Sequence, residues 1–170
     1  KVEKTNIASV TRHEFGDPDK AFQDAEHVVE RTFTLQMVHQ GYIEPHNATA
    51  VWDEEGRVKV WTSTQGAFPV RTSTAAILDM DVSKVKVTPL EIGGGFGGKI
   101  PIYLEPVCAT LSKKSGRPVK AVMERSNVFQ ASGPAPGGTI TVKMGTDKNG
   151  KLIAADTSIK LEAGGFPGAA

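Results

Sequence analysis

The sequence predicts an α+β fold of antiparallel hairpins with two or three helices, and three observations carry that expectation. Two stretches with a two-residue apolar period, 48–51 and 58–62, flank the turn Asp53-Glu54-Glu55-Gly56. Two more, at 140–144 and 151–161, flank Asn149-Gly150. Between the hairpins, Leu104, Val107, Cys108 and Leu111 recur at i, i+3, i+4 and i+7, one stripe of a helix. Hairpins segregated from crossover helices read as α+β rather than as an alternating doubly wound sheet.

The remaining elements follow in chain order. Asp17-Pro18 reads as an N-cap with proline at the first helical position, and Ala21, Phe22 and Ala25 supply the apolar face of a short helix. From Val29 the period becomes two, with Phe33, Leu35 and Met37 on one side of a strand. Pro69 opens a second helix, whose loose apolar side is Val70, Ala76, Ile77 and Met80. Residues 84–92 are extended, with Val85 and Val87 sharing a face. Gly116 and Pro118 stop the helix that carries Cys108, and 119–123 is a strand. Asn149-Gly150 predicts a type I′ hairpin turn, because both central residues of that turn need φ > 0. No repeat or linker divides the chain, so 1–170 reads as a single domain.

Composition narrows the function. Twenty basic against 19 acidic residues leave a net charge of +1, which offers no field for nucleic acid or an anionic membrane. No apolar run approaches the roughly 20 residues of a membrane span. At 170 residues the chain can bury a core, about 70% of its unfolded surface. A lone cysteine excludes an internal disulfide. The chain opens on Lys1 and runs from a strand pattern into a Gly/Pro/Ala stretch ending at Ala170, as a piece of a longer protein would.

Gly93-Gly94-Gly95-Phe96-Gly97-Gly98-Lys99 is the dense chemical signal. Gly93, Gly95 and Gly98 spell a dinucleotide fingerprint, and Gly93, Gly98 and Lys99 spell most of a P-loop. Either template uses missing Cβ atoms to bring backbone N–H groups against an anion. The P-loop stops at Ile100, where a Mg²⁺-binding hydroxyl is required. The dinucleotide reading is stronger, with Glu124 at the end of the next strand as a ribose-binding acid, but Lys99, Ile100 and Pro101 separate the last glycine from the helix. A plain turn is the third reading. It would need one or two glycines, not five in six residues, each costing on the order of 0.5–1 kcal/mol of ordering entropy. His39, Glu44 and His46 could in principle make a metal site, yet they bracket a proline and follow no regular ligand spacing.

Ser63-Thr64-Gln65, a helix, a strand and then the loop 93–99 resemble the first molybdopterin-binding segment of the xanthine dehydrogenase, aldehyde oxidase and carbon monoxide dehydrogenase family. Tyr42-Ile43-Glu44-Pro45, Gly116-Arg117-Pro118-Val119-Lys120, Met123-Glu124-Arg125 and 145–155 extend the resemblance over about residues 15–165. It implies that the chain is the N-terminal part of the molybdenum-binding domain of a longer subunit. It further implies oxidative hydroxylation of an aldehyde, heterocycle or related small molecule: R–H and water give R–OH and two electrons. Those electrons would leave through iron–sulfur clusters to FAD on partner domains or subunits, in a cytoplasmic enzyme.

The resemblance assigns roles by residue. Protein side chains do not ligate the molybdenum. Gln65 matches the glutamine that hydrogen-bonds an oxygen on the metal, and an amide can donate there without adding charge. Gly95, Phe96 and Gly97 match the loop whose backbone meets the cofactor, with Phe96 also packing. Lys99 points either to a phosphate or to solvent. In purine-oxidising members a glutamate follows the loop lysine. Here that position is Ile100, which neither accepts a proton nor orients a heterocycle, so the chain leans toward the carbon monoxide dehydrogenase-like branch. The catalytic glutamate and the cysteine loop of that branch would lie beyond Ala170, and Cys108 reads as a buried apolar residue.

Overall fold

Apolar β-branched residues concentrate on two separate sets of strands, and each set builds its own sheet. A computed structural model describes residues 5–164. They divide into two compact units, one made of the residues up to Val38 and from Pro136 onward, the other of 39–135. The Gly/Pro/Ala stretch expected at the end lies, from residue 165 on, outside the described residues.

The first unit holds α1 (Pro18–Gln23), β1 (His27–Leu35), β6 (Gly138–Thr146) and β7 (Leu152–Leu161). Asp17 caps α1, its carboxylate accepting the Lys20 N–H at 3.0 Å, a contact worth about 1 kcal/mol. The strands form an antiparallel sheet in the order β1-β6-β7. Register stacks Val29 on Met144 and Ala155, and Phe33 on Ile140 and Ile159, so these share one face. On the other face Gly145 lies under α1: a Cβ there would stand 2.9 Å from Ala25 and 3.2 Å from Phe22.

The second unit holds β2 (Asn47–Trp52), β3 (Val58–Thr62), α2 (Ala67–Ile77), β4 (Val85–Pro89), α3 (Glu105–Ser115), β5 (Val119–Val122) and α4 (Arg125–Ala131). Its sheet runs β4-β3-β2-β5. β2 pairs antiparallel with β3 and β5, while β3 and β4 are parallel and therefore need α2 as a crossover. Ala48, Ala50, Val58, Val60 and Val85 from the sheet meet Ala75 of α2 and Cys108 and Ala109 of α3 in one buried core. Small residues at 48 and 50 let α3 come close enough for the Cys108 thiol to reach the Ala48 carbonyl at 3.5 Å.

Both expected hairpins form, 48–52 with 58–62 and 138–146 with 152–161, and the α+β class holds. Several details differ. The expected type I′ turn is absent, because Gly150 takes φ of 81° while Asn149 stays out of the positive region. Gly150 instead donates to Asp147 O at 3.0 Å, and the Asp147 carboxylate accepts the N–H groups of Asn149 and Lys151. Asp53 and Gly56 repeat the device, so an Asp-x-x-Gly loop with a final left-handed glycine closes both hairpins.

The described residues form four α-helices rather than two or three, the unforeseen one being α4. α2 begins two residues before Pro69 and buries Val70, Thr74 and Ala75, leaving Ala76 and Ile77 exposed. α3 is rotated by about one residue from the expected stripe. Glu105, Cys108, Ala109 and Ser112 face inward, and Val107 and Leu111 are half exposed. Hydrogen bonds explain the rotation. Glu105 accepts from Thr62 Oγ1 at 2.7 Å, and Ser112 accepts from Trp52 N at 2.9 Å while donating to Arg117 O at 2.7 Å.

Candidate functional site

The glycine loop follows β4 and is folded around side chains from two other segments. Gln65, just beyond β3, sends its Oε1 into the loop, where it accepts the N–H of Gly97 and of Lys99, both at 3.1 Å. The Gln65 N–H donates to Lys99 O at 3.0 Å, and Thr64 Oγ1 donates to the same carbonyl at 3.1 Å. Gly95 makes this possible: a Cβ there would stand 2.5 Å from Gln65 Oε1. The sequence-expected residues Gln65, Gly95 and Gly97 are thus brought together.

Gln65 is exposed, its side-chain oxygen is fully engaged, and its Nε2 has no hydrogen-bond partner among the described residues. Gly97 has φ of 89°, and a Cβ on it would meet nothing within 4 Å. The loop therefore presents a fixed amide donor beside open backbone. Phe96 is expected to pack, and its ring edge lies against Gly94, where a Cβ would stand 3.1 Å from it. Phe96 is 72% exposed with φ of 49°, a conformation that an aromatic residue adopts only under constraint.

Lys99 is neither solvated nor aimed at a phosphate. Its side chain is 0% exposed, with Nζ 2.6 Å from Glu44 Oε2 and 5.1 Å from the centre of the Tyr42 ring. The same Glu44 oxygen accepts the Gly93 N–H at 2.8 Å, and Oε1 accepts from Asn47 at 3.1 Å. Burial alone would raise the Glu44 carboxyl, but the bonds from Lys99, Gly93 and Asn47 outweigh it and hold the group below its ordinary 4.5. Tyr42 packs under the loop, since a Cβ at Gly98 would stand 2.8 Å from its ring and one at Gly94 3.2 Å from its Cβ.

Sequence reasoning missed this role for Glu44 and Lys99. The signal that could have found it is the pairing of an isolated Glu with a lysine ending the loop.

The residues weighed as metal ligands are engaged elsewhere. His46 Nε2 lies 2.7 Å from the Tyr42 hydroxyl, and His39 Nε2 lies 3.0 Å from Ser132 Oγ. Burial, then the charges of Lys99 and His39, bring the His46 imidazole down to about 4 against a smaller opposing pull from Glu44. Cys108 is buried, which pushes its thiol up. No group of three His, Cys, Asp or Glu among the described residues could hold a metal ion.

A phosphate would find several of the loop's donors taken. Gly93, Gly97 and Lys99 already give their N–H groups to Glu44 and Gln65. The start of α3, where a pyrophosphate would sit, is occupied by the buried Glu105 carboxylate, which accepts the Tyr103 N–H at 2.8 Å.

The match that decides kinship is to the molybdopterin cofactor-binding domain, over residues 1–169. The chain belongs to that family. Members with measured likeness include the large molybdopterin subunit of nicotinate dehydrogenase from Eubacterium barkeri, 33% identical over 162 residues that make up 95% of this chain and 38% of that subunit. The probable hypoxanthine oxidase XdhD of Escherichia coli O157:H7 is 34% identical over 163 residues, 96% of this chain and 17% of that protein. Among solved structures, reconstituted CO dehydrogenase from Oligotropha carboxidovorans aligns at a TM-score of 0.62 and 29% identity, covering 84% of this chain and 18% of that one. The chain spans well under half the length of these curated relatives. No helix among the described residues is long and apolar enough to cross a membrane.

Proposed function

We propose that the chain supplies one wall of the cofactor site of a molybdenum hydroxylase, with Gln65, Gly95, Phe96 and Gly97 as the cofactor contacts. The observation that carries this reading is the state of Gln65. Two loop N–H groups hold its oxygen, so its Nε2 is oriented and free to donate beside a glycine with open space over it. Those features fit a ligand that offers an oxygen acceptor and needs close backbone approach.

When bound, molybdopterin supplies the metal at which a substrate carbon is hydroxylated with water as the oxygen source and two electrons are released. Gln65 would orient the group by donating one neutral hydrogen bond, and Gly97 would let it approach the backbone. Ile100 ends the loop half exposed and apolar, which favours an aldehyde or other small molecule over a purine. The remainder of the molybdenum subunit would complete the active site. Iron–sulfur and flavin domains or subunits would take the electrons, and the cytoplasmic setting implied by the resemblance goes with this reading.

The test is elemental and pterin analysis of the full-length parent, expected near one molybdenum per polypeptide. Titration of residues 1–170 with NAD, FAD and ATP-Mg²⁺ should show nothing tighter than about millimolar, roughly −4 kcal/mol. A molybdenum-free parent, or micromolar nucleotide binding, would overturn the proposal in favour of a nucleotide-binding module at 93–99.

A further inference from the structure

One carboxylate oxygen holds both ends of the glycine loop. Glu44 Oε2 accepts the Gly93 N–H at 2.8 Å at the start and the Lys99 ammonium at 2.6 Å at the finish, while the Glu44 N–H reaches Gly93 O at 3.3 Å. Lys99 is the hinge of the arrangement. Its buried side chain belongs to Glu44, and its backbone N–H and C=O belong to Gln65. Anything that moves the Lys99 side chain therefore moves one of the two N–H groups that hold the Gln65 side-chain oxygen, together with the carbonyl that accepts the Gln65 backbone N–H. Among the described residues Lys99 has no other counter-charge within ion-pair distance, and a buried ammonium without one must travel toward water.

We infer that Glu44 is a positioning residue for the cofactor contact: its carboxylate, through Lys99, fixes the loop shape that aims Gln65 Nε2 and opens Gly97. The inference rests on the reading of Gln65 and the loop given above, and its partner is the charge on Lys99 rather than the cofactor itself.

The test uses the full-length parent with its cofactor. Glu44→Gln removes the charge and keeps the shape. Glu44→Asp keeps the charge but is one methylene too short to hold Gly93 and Lys99 together. Glu44→Gln combined with Lys99→Met removes both charges. Deuterium exchange across 93–99 is read first, then the Mo(V) electron paramagnetic resonance spectrum and kcat per molybdenum.

In Glu44→Gln the loop amides should exchange about tenfold faster or more, the spectrum should shift, and kcat per molybdenum should fall roughly 10–100-fold with KM little changed. The double variant should recover protection and spectrum toward wild type. Should Glu44→Gln fail to accumulate, Glu44→Asp carries the same test with a smaller effect in each readout. Wild-type exchange and spectrum in either single variant would overturn the inference. So would lower molybdenum content with unchanged kcat per molybdenum, which is the mark of a merely structural residue. A wild-type parent without molybdenum would sink the cofactor reading instead, and loop exchange would still report on the clamp.

Discussion

The side-chain oxygen of Gln65 accepts the backbone N–H of Gly97 at 3.1 Å, so the glutamine is fastened to the loop by one end of its amide and free at the other. The two ends can be separated by substitution. Gln65→Glu keeps an acceptor for Gly97 and Lys99 but removes the donor. It should leave molybdenum content intact and slow turnover by about 5–150-fold, the worth of a hydrogen bond of 1–3 kcal/mol. Gln65→Ala strands both loop N–H groups and should lower occupancy as well. Steady-state rates normalised to molybdenum distinguish the two, and equal occupancy loss in both variants would contradict the division of roles.

Phe96 combines a strained backbone with a ring that is mostly exposed and touches the loop only along one edge, at Gly94. Phe96→Gly should stabilise the folded chain by about 1 kcal/mol, because glycine accepts φ of 49° without a Cβ clash. If the residue serves the cofactor, the same change should reduce activity of the parent. Urea unfolding measures the first effect; destabilisation would show that the ring's contact outweighs the strain.

His46 sets an acid limit. The folded imidazole stays neutral down to about 4, whereas an unfolded one takes up a proton near 6.5. The unfolded state therefore binds more protons in that window, and stability falls as pH drops from about 6.5 to about 4. The loss is about 2 kcal/mol, less than the full shift is worth because solvent screens part of it. The Glu44 contribution is lost at lower pH, below its ordinary 4.5. Denaturation at pH 7 and pH 4.5 should show the loss in wild type and little of it in His46→Gln; equal losses would contradict the assignment.

Thr74 faces the core from α2, and its hydroxyl is buried with no partner among the described residues. Thr74→Val keeps the shape and removes the unsatisfied oxygen, so it should stabilise by about 1 kcal/mol. A loss of stability on thermal unfolding would reveal a hidden partner.

The hairpins were legible because Asp53-Glu54-Glu55-Gly56 and Asn149-Gly150 stand between strands of clear two-residue period, although the second loop closes on Asp147 rather than as the expected type I′ turn. Helix faces were less so. Hydropathy points Val107 and Leu111 inward, but Glu105 and Ser112 hold that place because their hydrogen bonds to β2, β3 and the turn after α3 need it. α4 escaped because Val128 is its one buried residue and a single position makes no stripe. At the site, the resemblance to the molybdopterin-binding family paired Gln65 with the loop. The burial of Lys99 was not legible, because lysine is an exposed residue by default and its counter-charge lies 55 positions upstream at Glu44.

The central claim is that the space over Gly97 belongs to molybdopterin, and Gly97→Asn in the full-length parent tests it most directly. Among the described residues nothing beyond its chain neighbours lies within 4 Å of a Cβ at that position, and asparagine tolerates positive φ better than other side chains. The loop should therefore survive while the added amide intrudes on the ligand. The account predicts a folded protein, destabilised by no more than about 1 kcal/mol, whose molybdenum and pterin content falls to a small fraction of one per polypeptide. Full occupancy and an unchanged rate would contradict it.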